Sequence, residues 1–184
     1  MIRSSIFTFA LLILCAPAWA QKVSVDFDKS ADFEKYKTFS WKDSNEDLRD
    51  TDPLFHDRIV RGIERRLREG GMTQVAKDPD AYVTYYTAER EETAVHTVSM
   101  GYGMGSSWFW GSGVAGSTSQ VVKYKVGTLI IDIWDAKTSK LVWRGTASDT
   151  VSEKPAKVEK QIEKALDKLV RRWHREYRKL QKNK

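Results

Sequence analysis

The sequence predicts an α+β fold, with a mostly antiparallel sheet of about four to six strands covered by two amphipathic helices in two layers. Three observations predict it. Several stretches alternate apolar and polar residues, as strands do, and two stretches repeat apolar residues every three or four positions, as helices do. After residue 81 the strand-like stretches follow one another without a helix between them, which indicates antiparallel neighbours.

The first twenty residues have the organisation of a secretory signal. Arg3 precedes an apolar run, and Ala18-Trp19-Ala20 has the small-x-small pattern of signal peptidase. We therefore expect cleavage after Ala20, a periplasmic location and a single mature domain over residues 21–184. The alternative is an outer-membrane lipoprotein anchored through Cys15, the only cysteine. That alternative is less favoured, because Leu14 precedes the cysteine where a small residue is expected.

Two short strands are predicted at the start of the mature domain. Residues 22–28 alternate apolar and polar side chains, and residues 36–42 repeat the alternation with Phe39 and Trp41. The polar residues 43–52 are expected to form a loop.

Asp52 and Pro53 predict the start of the first helix. Aspartate accepts hydrogen bonds from the free amides of a first turn, and proline fits the first helical position because no partner is needed there for an N–H. Gly70-Gly71 predicts the end of the helix. Its apolar stripe is Phe55, Ile59, Ile63 and Leu67.

Three longer strands are predicted at residues 81–95, 121–135 and 140–151. Burial of one face selects the register of the last two strands, because a slip by one residue would place Arg144 among isoleucines. We therefore expect Asp135 opposite Leu141 and a connection of odd length. The other expected pairs are Ile133 with Trp143, Asp132 with Arg144, Ile131 with Gly145 and Leu129 with Ala147.

A second amphipathic helix is predicted from about residues 153–156, with fraying beyond Tyr177. Residues 153–184 contain twelve basic and five acidic residues. The bases form either a solvated surface or a docking strip for anionic lipid or an acidic partner. Nucleic acid is not expected as a partner, because an exported chain rarely meets it.

Three stretches together resemble a known family. They are VSVDFDKSADFEKYKTFSW, DPLFHDRIVRGIERRLREGGM with DPDAYVTYY, and GTLIIDIWDAKTSKLVWRGTASD. They are similar to the exported bacterial family called domain of unknown function 4136. The resemblance implies an envelope location and a small domain of helices and strands, and it implies no activity. Its most specific residues are Asp132, Asp135, Leu141, Trp143, Arg144 and Gly145.

The sequence motifs predict no catalytic, cofactor or metal site. Cleavage after Ala20 would leave no cysteine, and no G-x-S-x-G turn or zinc pattern occurs. Residues 111–116 match G-x-G-x-x-G, but no strand precedes them and no helix follows to receive a pyrophosphate. His96, Met100 and Met104 are suitable types of copper ligand, yet the surrounding glycines disfavour the helix that would bring them together.

A glycine- and aromatic-rich loop is predicted at about residues 97–119, as the tip of a long hairpin. Residues 99–117 hold six of the eleven glycines and no charged side chain. The loop is either low-complexity chain with incidental aromatics, or a contact for an envelope protein, a glycan or an anionic lipid surface. The candidate contact residues are Met100, Tyr102, Met104, Trp108, Phe109 and Trp110.

The sequence thus favours a non-catalytic binding or structural module that contacts a membrane surface or an envelope partner. The alternative is a small-ligand carrier or enzyme with a pocket under the loop. A carrier needs a concave site with converging polar groups, whereas an interaction module needs an exposed contact surface.

Overall fold

A computed structural model of the protein describes residues 21–42, 46–98, 118–152 and 154–182. This part of the chain contains six strands, three α-helices and a short 3₁₀ turn, Phe33–Lys35. The strands are β1 Lys22–Phe27, β2 Thr38–Trp41, β3 Thr73–Gln74, β4 Ala81–Val98, β5 Thr118–Asp135 and β6 Leu141–Thr150. The helices are α1 Glu46–Thr51, α2 Pro53–Glu69 and α3 Pro155–Lys182.

The six strands form one mixed sheet in the order β1-β6-β5-β4-β2-β3. β2 is parallel to β3 and β4, and the other neighbouring strands are antiparallel. α2 and α3 pack their apolar stripes on one face of this sheet, so the predicted α+β class is confirmed. The shared core includes Phe39, Ile59, Ile63, Val83, Leu129, Ile131, Trp143, Ile162, Leu166 and Leu169.

The predicted limits of α2 are confirmed by its capping. The Asp52 carboxylate accepts a hydrogen bond from the Phe55 amide at 3.0 Å, and Pro53 occupies the first turn. At the other end Gly71 has φ +88°, a left-handed conformation that glycine adopts without steric cost. In the middle of the helix, a Cβ on Gly62 would lie 2.6 Å from Leu166 Cδ1, so this glycine permits the close approach of α3.

The predicted β5–β6 register is confirmed over most of the hairpin. Ile133 pairs with Trp143, and Asp132 pairs with Arg144. The expected pairing of Asp135 with Leu141 is wrong, because a bulge adds Val142 to β6 and Trp134 pairs with Leu141. Between the strand ends Asp135 and Leu141 the connection is residues 136–140, an odd number as expected.

The bulge has a physical cause in a second small core. Val142 is 4% exposed and packs with Tyr36 and Ala81. Strict alternation would have placed either Val142 or Trp143 in the wrong environment, whereas the extra residue allows both to be buried.

Three further features differ from the expectations. Helix α1 occupies part of the predicted polar loop, because Leu48 packs against the main core. The two-residue strand β3 was not predicted, and it pairs with β2. Helix α3 continues beyond Tyr177 to Lys182, past the point where fraying was expected.

β4 and β5 extend beyond the rest of the sheet as a two-stranded arm. β6 last pairs with β5 at Val126, while β4 and β5 remain paired as far as Val98 and Thr118. The predicted long hairpin is therefore present, and residues 99–117 connect its strands. These residues, including all six predicted contact residues, lie outside the described part of the chain.

Candidate functional site

A basic stripe runs along the outer face of α3. Its members recur every three or four residues and lie opposite the buried side chains Ile162, Leu166 and Leu169. From the first member to the last, the stripe extends about 38 Å at the rise of an α-helix. The basic stripe consists of Lys157, Lys160, Lys164, Lys168, Arg171, Arg175, Arg178 and Lys182.

The acidic residues of α3 are largely engaged away from the centre of this stripe. Glu163 forms ion pairs with Arg65 and Arg66 of α2, and Asp167 accepts a hydrogen bond from Arg66 at 2.6 Å. Lys179 contacts Glu176 at 3.2 Å and holds the pKa of this carboxyl below its usual range.

The centre of the basic stripe is consequently not neutralised. Among the described residues, Lys160, Lys164 and Arg171 form no ion pair, and all three side chains are exposed. These three bases can therefore attract an anionic surface.

A groove of about 640 Å³ lies between the amino-terminal halves of α2 and α3. The two helices touch near Gly62, and the groove is lined by residues of both helices on the amino-terminal side of this contact, together with residues of the sheet. The groove is mainly apolar, as ligand pockets usually are. Its walls and floor include Phe55, Ile59, Val158, Ile162, Leu129 and Ala147.

The polar groups of the groove converge from several elements. Gln21 is 8% exposed, and its Nε2 donates a hydrogen bond to the Gln161 carbonyl at 3.3 Å. Its Oε1 has no hydrogen-bond partner among the described residues. The charged lining residues are Asp52, Arg58, Glu89 and Asp149.

The groove lies at the base of the β4–β5 arm rather than under its tip. Glu89 and Gly127 line the groove and pair with each other, while the last described pair of the arm is Val98 with Thr118. Nine residue steps separate these pairs, which corresponds to about 30 Å along a strand. The sequence did not point to this site, because the lining residues come from distant segments.

The opposite face of the sheet contains an ion pair in which only the carboxylate is buried. Arg144 donates hydrogen bonds to both carboxylate oxygens of Asp132, at 2.7 and 2.6 Å, and Asp132 is fully buried. The Asp132 carboxylate holds the pKa of Arg144 above its usual value. Beside this pair, Trp134 Nε1 donates a hydrogen bond to Thr84 Oγ1 at 3.2 Å.

Asp135 organises the β5–β6 turn. Its carboxylate accepts hydrogen bonds from Lys35 Nζ at 2.6 Å, the Tyr36 hydroxyl at 3.0 Å and the Thr138 amide at 2.8 Å. The Lys35 bond first, and then the Thr138 amide, hold the pKa of Asp135 well below its usual range. The ionisable residues of the family-like stretch thus support the sheet and its turn.

The described histidines do not form a catalytic arrangement together. His56 Nδ1 lies 2.5 Å from the Tyr85 hydroxyl, between α2 and the sheet, whereas His174 is exposed on α3. Within the described ranges, no three side chains of His, Cys, Asp or Glu are placed to hold a metal ion. No helix in those ranges combines the length and the apolar character needed to cross a bilayer.

Solved structures with a similar fold have low sequence identity to this chain. A PDZ domain protein from Parabacteroides distasonis aligns with a TM-score of 0.51 and 14% identity, over 81% of this chain and 35% of that protein. The chain therefore spans about a third of the length of that relative, and the likeness shows the fold alone.

Two PelC structures and one family model also match this chain. The PelC dodecamer from Paraburkholderia phytofirmans aligns with a TM-score of 0.45 and 15% identity, over 82% of this chain and 97% of PelC. A point variant of that PelC gives 0.44 and 16%, over 82% and 98%. No curated protein matches the sequence. The family model described as Domain of unknown function (DUF4136) matches residues 23–173, and the chain belongs to this family.

Proposed function

We propose that the protein is an exported, non-catalytic binding module of the cell envelope that docks on an anionic membrane surface through the basic stripe of α3. The observation that carries this proposal is the unneutralised centre of the stripe, Lys160, Lys164 and Arg171, on the face of α3 that points away from the core. Export is supported by Ala18-Trp19-Ala20 in the signal-like segment.

Docking through α3 should be electrostatic and should not involve insertion of the helix. Interfacial helices bind by burying an apolar face among lipid chains. The apolar face of α3 is already used in the protein core, where Leu166 is 3% and Leu169 is 2% exposed. Only the basic face is available, so we expect reversible binding that weakens as salt screens the charges.

The uncharged segment, residues 99–117 of the glycine- and aromatic-rich loop, is proposed as a second contact with the same membrane surface. The supporting observation is its position, since residues 99–117 connect the two strands of the long arm. The proposed contact residues are Met100, Tyr102, Met104, Trp108, Phe109 and Trp110. An envelope protein or a glycan is the alternative occupant of this contact.

Co-sedimentation with vesicles tests the proposal. Residues 21–184 are mixed with vesicles of phosphatidylglycerol and phosphatidylcholine, and with phosphatidylcholine alone. The stripe variant replaces Lys160, Lys164 and Arg171 with glutamine. Each base near an anionic surface contributes about 1 kcal/mol, so the variant should bind about 100-fold more weakly. A matched control replaces the exposed lysines Lys29, Lys77 and Lys140 with glutamine and should bind like the parent protein.

Vesicle binding of two variants also distinguishes the two proposed contacts. Loss of binding in the stripe variant alone supports docking through α3. Loss of binding only in a variant with Trp108, Phe109 and Trp110 replaced by serine would assign the contact to the uncharged segment and contradict the role of α3. If the parent protein binds neither type of vesicle, lipid is not the partner. The contact is then with an envelope protein or a glycan.

A further inference from the structure

We propose that the groove between α2 and α3 binds a neutral amphiphile, a single acyl chain whose hydroxyl head donates a hydrogen bond to Gln21 Oε1. This site is separate from the basic stripe, because it lies on the inner side of α3. The proposal therefore does not depend on membrane docking.

The size and lining of the groove fit the acyl chain. Its volume of about 640 Å³ falls within the range of small-molecule sites. Phe55 and Ile59 of α2, Val158 and Ile162 of α3, and Leu129 of the sheet supply its apolar lining. Phe55 and Val158 are half-buried and keep part of their apolar surface exposed at the groove, and an apolar chain would cover that surface.

Gln21 indicates the chemistry of the head group. Its side-chain orientation is determined by the hydrogen bond from Nε2 to the Gln161 carbonyl, because the reversed amide would bring two oxygens together. Oε1 is therefore an acceptor, and it is buried without a donor. Buried polar groups of this kind usually have partners, so a ligand hydroxyl is the complementary group.

The charges around the groove disfavour an anionic head. Asp52 accepts a hydrogen bond from the Phe55 amide and Asp149 accepts one from the Thr150 amide, so neither of these bonds comes from a cation. Glu89 pairs at 3.2 Å with Lys125, which does not line the groove, and Arg58 is the cation of the lining. The lining side chains thus contain three carboxylates and one cation. The α-ammonium group that cleavage after Ala20 gives Gln21 adds a second cation, so carboxylates still outnumber cations and a neutral donor is favoured over a fatty-acid carboxylate.

Displacement of a fluorescent probe tests this site in residues 21–184, which lack the apolar run of the signal-like segment. N-phenyl-1-naphthylamine is apolar and carries one N–H donor, so it should bind with increased fluorescence. Monolauroylglycerol should displace it at lower concentration than methyl laurate, which has the same chain without hydroxyl groups. Laurate, whose head is anionic, should compete more weakly than monolauroylglycerol.

Two variants connect the result to the groove. Gln21→Leu should weaken displacement by monolauroylglycerol about tenfold, the effect of one hydrogen bond, and should leave displacement by methyl laurate unchanged. Val158→Trp should fill the groove and abolish the fluorescence increase. The stripe variant of Lys160, Lys164 and Arg171 serves as the control and should bind the probe like the parent protein.

Three results would overturn the proposal. They are equal competition by the ester and the monoacylglycerol, an equal effect of Gln21→Leu on both compounds, and unchanged probe binding in folded Val158→Trp. Circular dichroism of each variant establishes that it is folded. Because the stripe variant affects only vesicle binding, failure of this proposal is distinguishable from failure of membrane docking.

Discussion

Asp132 and Arg144 have very different access to water, although they form one ion pair. Asp132 is fully buried, whereas 46% of the Arg144 side chain is exposed. A buried charge that loses its partner is costly, while a charge that can reach water is hydrated in its place. The two single substitutions of this pair should therefore have unequal effects.

Arg144→Gln should lower the free energy of unfolding by about 3 kcal/mol, because it leaves the buried Asp132 carboxylate without its cation. Asp132→Asn should cost less, because water can hydrate the half-exposed guanidinium of Arg144 that remains. Urea unfolding of both variants at pH 7 measures the difference. Equal losses would show that the exposure of the two partners does not determine the cost.

Asp135 should make stability depend on pH. Its pKa is held well below the usual range, by Lys35 first and then by the Thr138 amide. A carboxyl with a lowered pKa contributes stability above its unfolded pKa, which is about 3.9, and this contribution is lost as the pH falls through the folded value. Asp135→Asn should therefore destabilise the protein most at pH 7 and somewhat less at pH 3, because pH 3 lies below the unfolded pKa but above the folded value.

Urea midpoints of Asp135→Asn and the parent protein at the two pH values check this prediction. Lys35→Met is a useful companion, because it removes the largest cause of the lowered pKa and leaves the Thr138 amide in place. It should reduce the pH dependence in part. An Asp135→Asn effect of equal size at pH 3 and pH 7 would contradict the argument.

At the scale of the element, Gly145 explains how β6 accommodates Trp143. A Cβ at position 145 would lie 2.3 Å from Trp143 Cη2, so the indole occupies the space above the glycine. Trp143 is itself 9% exposed and belongs to the core covered by α2 and α3. A side chain at Gly145 must displace the ring or bend the strand.

Gly145→Ala should lower the free energy of unfolding by about 1–3 kcal/mol, the usual range for overpacking a core. Near-ultraviolet circular dichroism should change with it, because the surroundings of Trp143 change. Thr146→Ala, on the other face of the same strand and half-buried, is the matched control and should have a smaller effect. A gain in stability for Gly145→Ala would show that the indole moves away without cost.

At the scale of the whole molecule, the two proposed sites lie on opposite sides of α3 and differ in physical character. Vesicle binding through the basic stripe should decrease strongly between 0.1 and 1 M salt, as the Debye length falls from about 10 Å to about 3 Å. Probe binding in the apolar groove should change little over this range. Measuring vesicle binding and probe binding in one salt series checks that the two sites respond differently to salt. A parallel loss of both would contradict the prediction.

Elements marked by capping residues or by a regular apolar pattern were predictable from the sequence. The Asp52 cap, the Gly70-Gly71 end and the apolar stripe predicted α2, and burial of one face predicted most of the β5–β6 register. Helix α1 was missed because Leu48 is a lone apolar residue in a polar stretch, and its helix is supported by contact with the distant core. Strand β3 is too short to show a pattern of its own.

The sequence by itself determined the α+β class, the main helices and strands and the charge of α3, because capping, periodicity and charge act over a few neighbouring residues. Tertiary structure decided the Val142 bulge, the parallel pairing of β2 and the groove beside Gln21. These features depend on contacts such as that between Gln21 and Gln161, which are 140 positions apart. No local pattern records such a contact, since the packing of the helices on the sheet creates it.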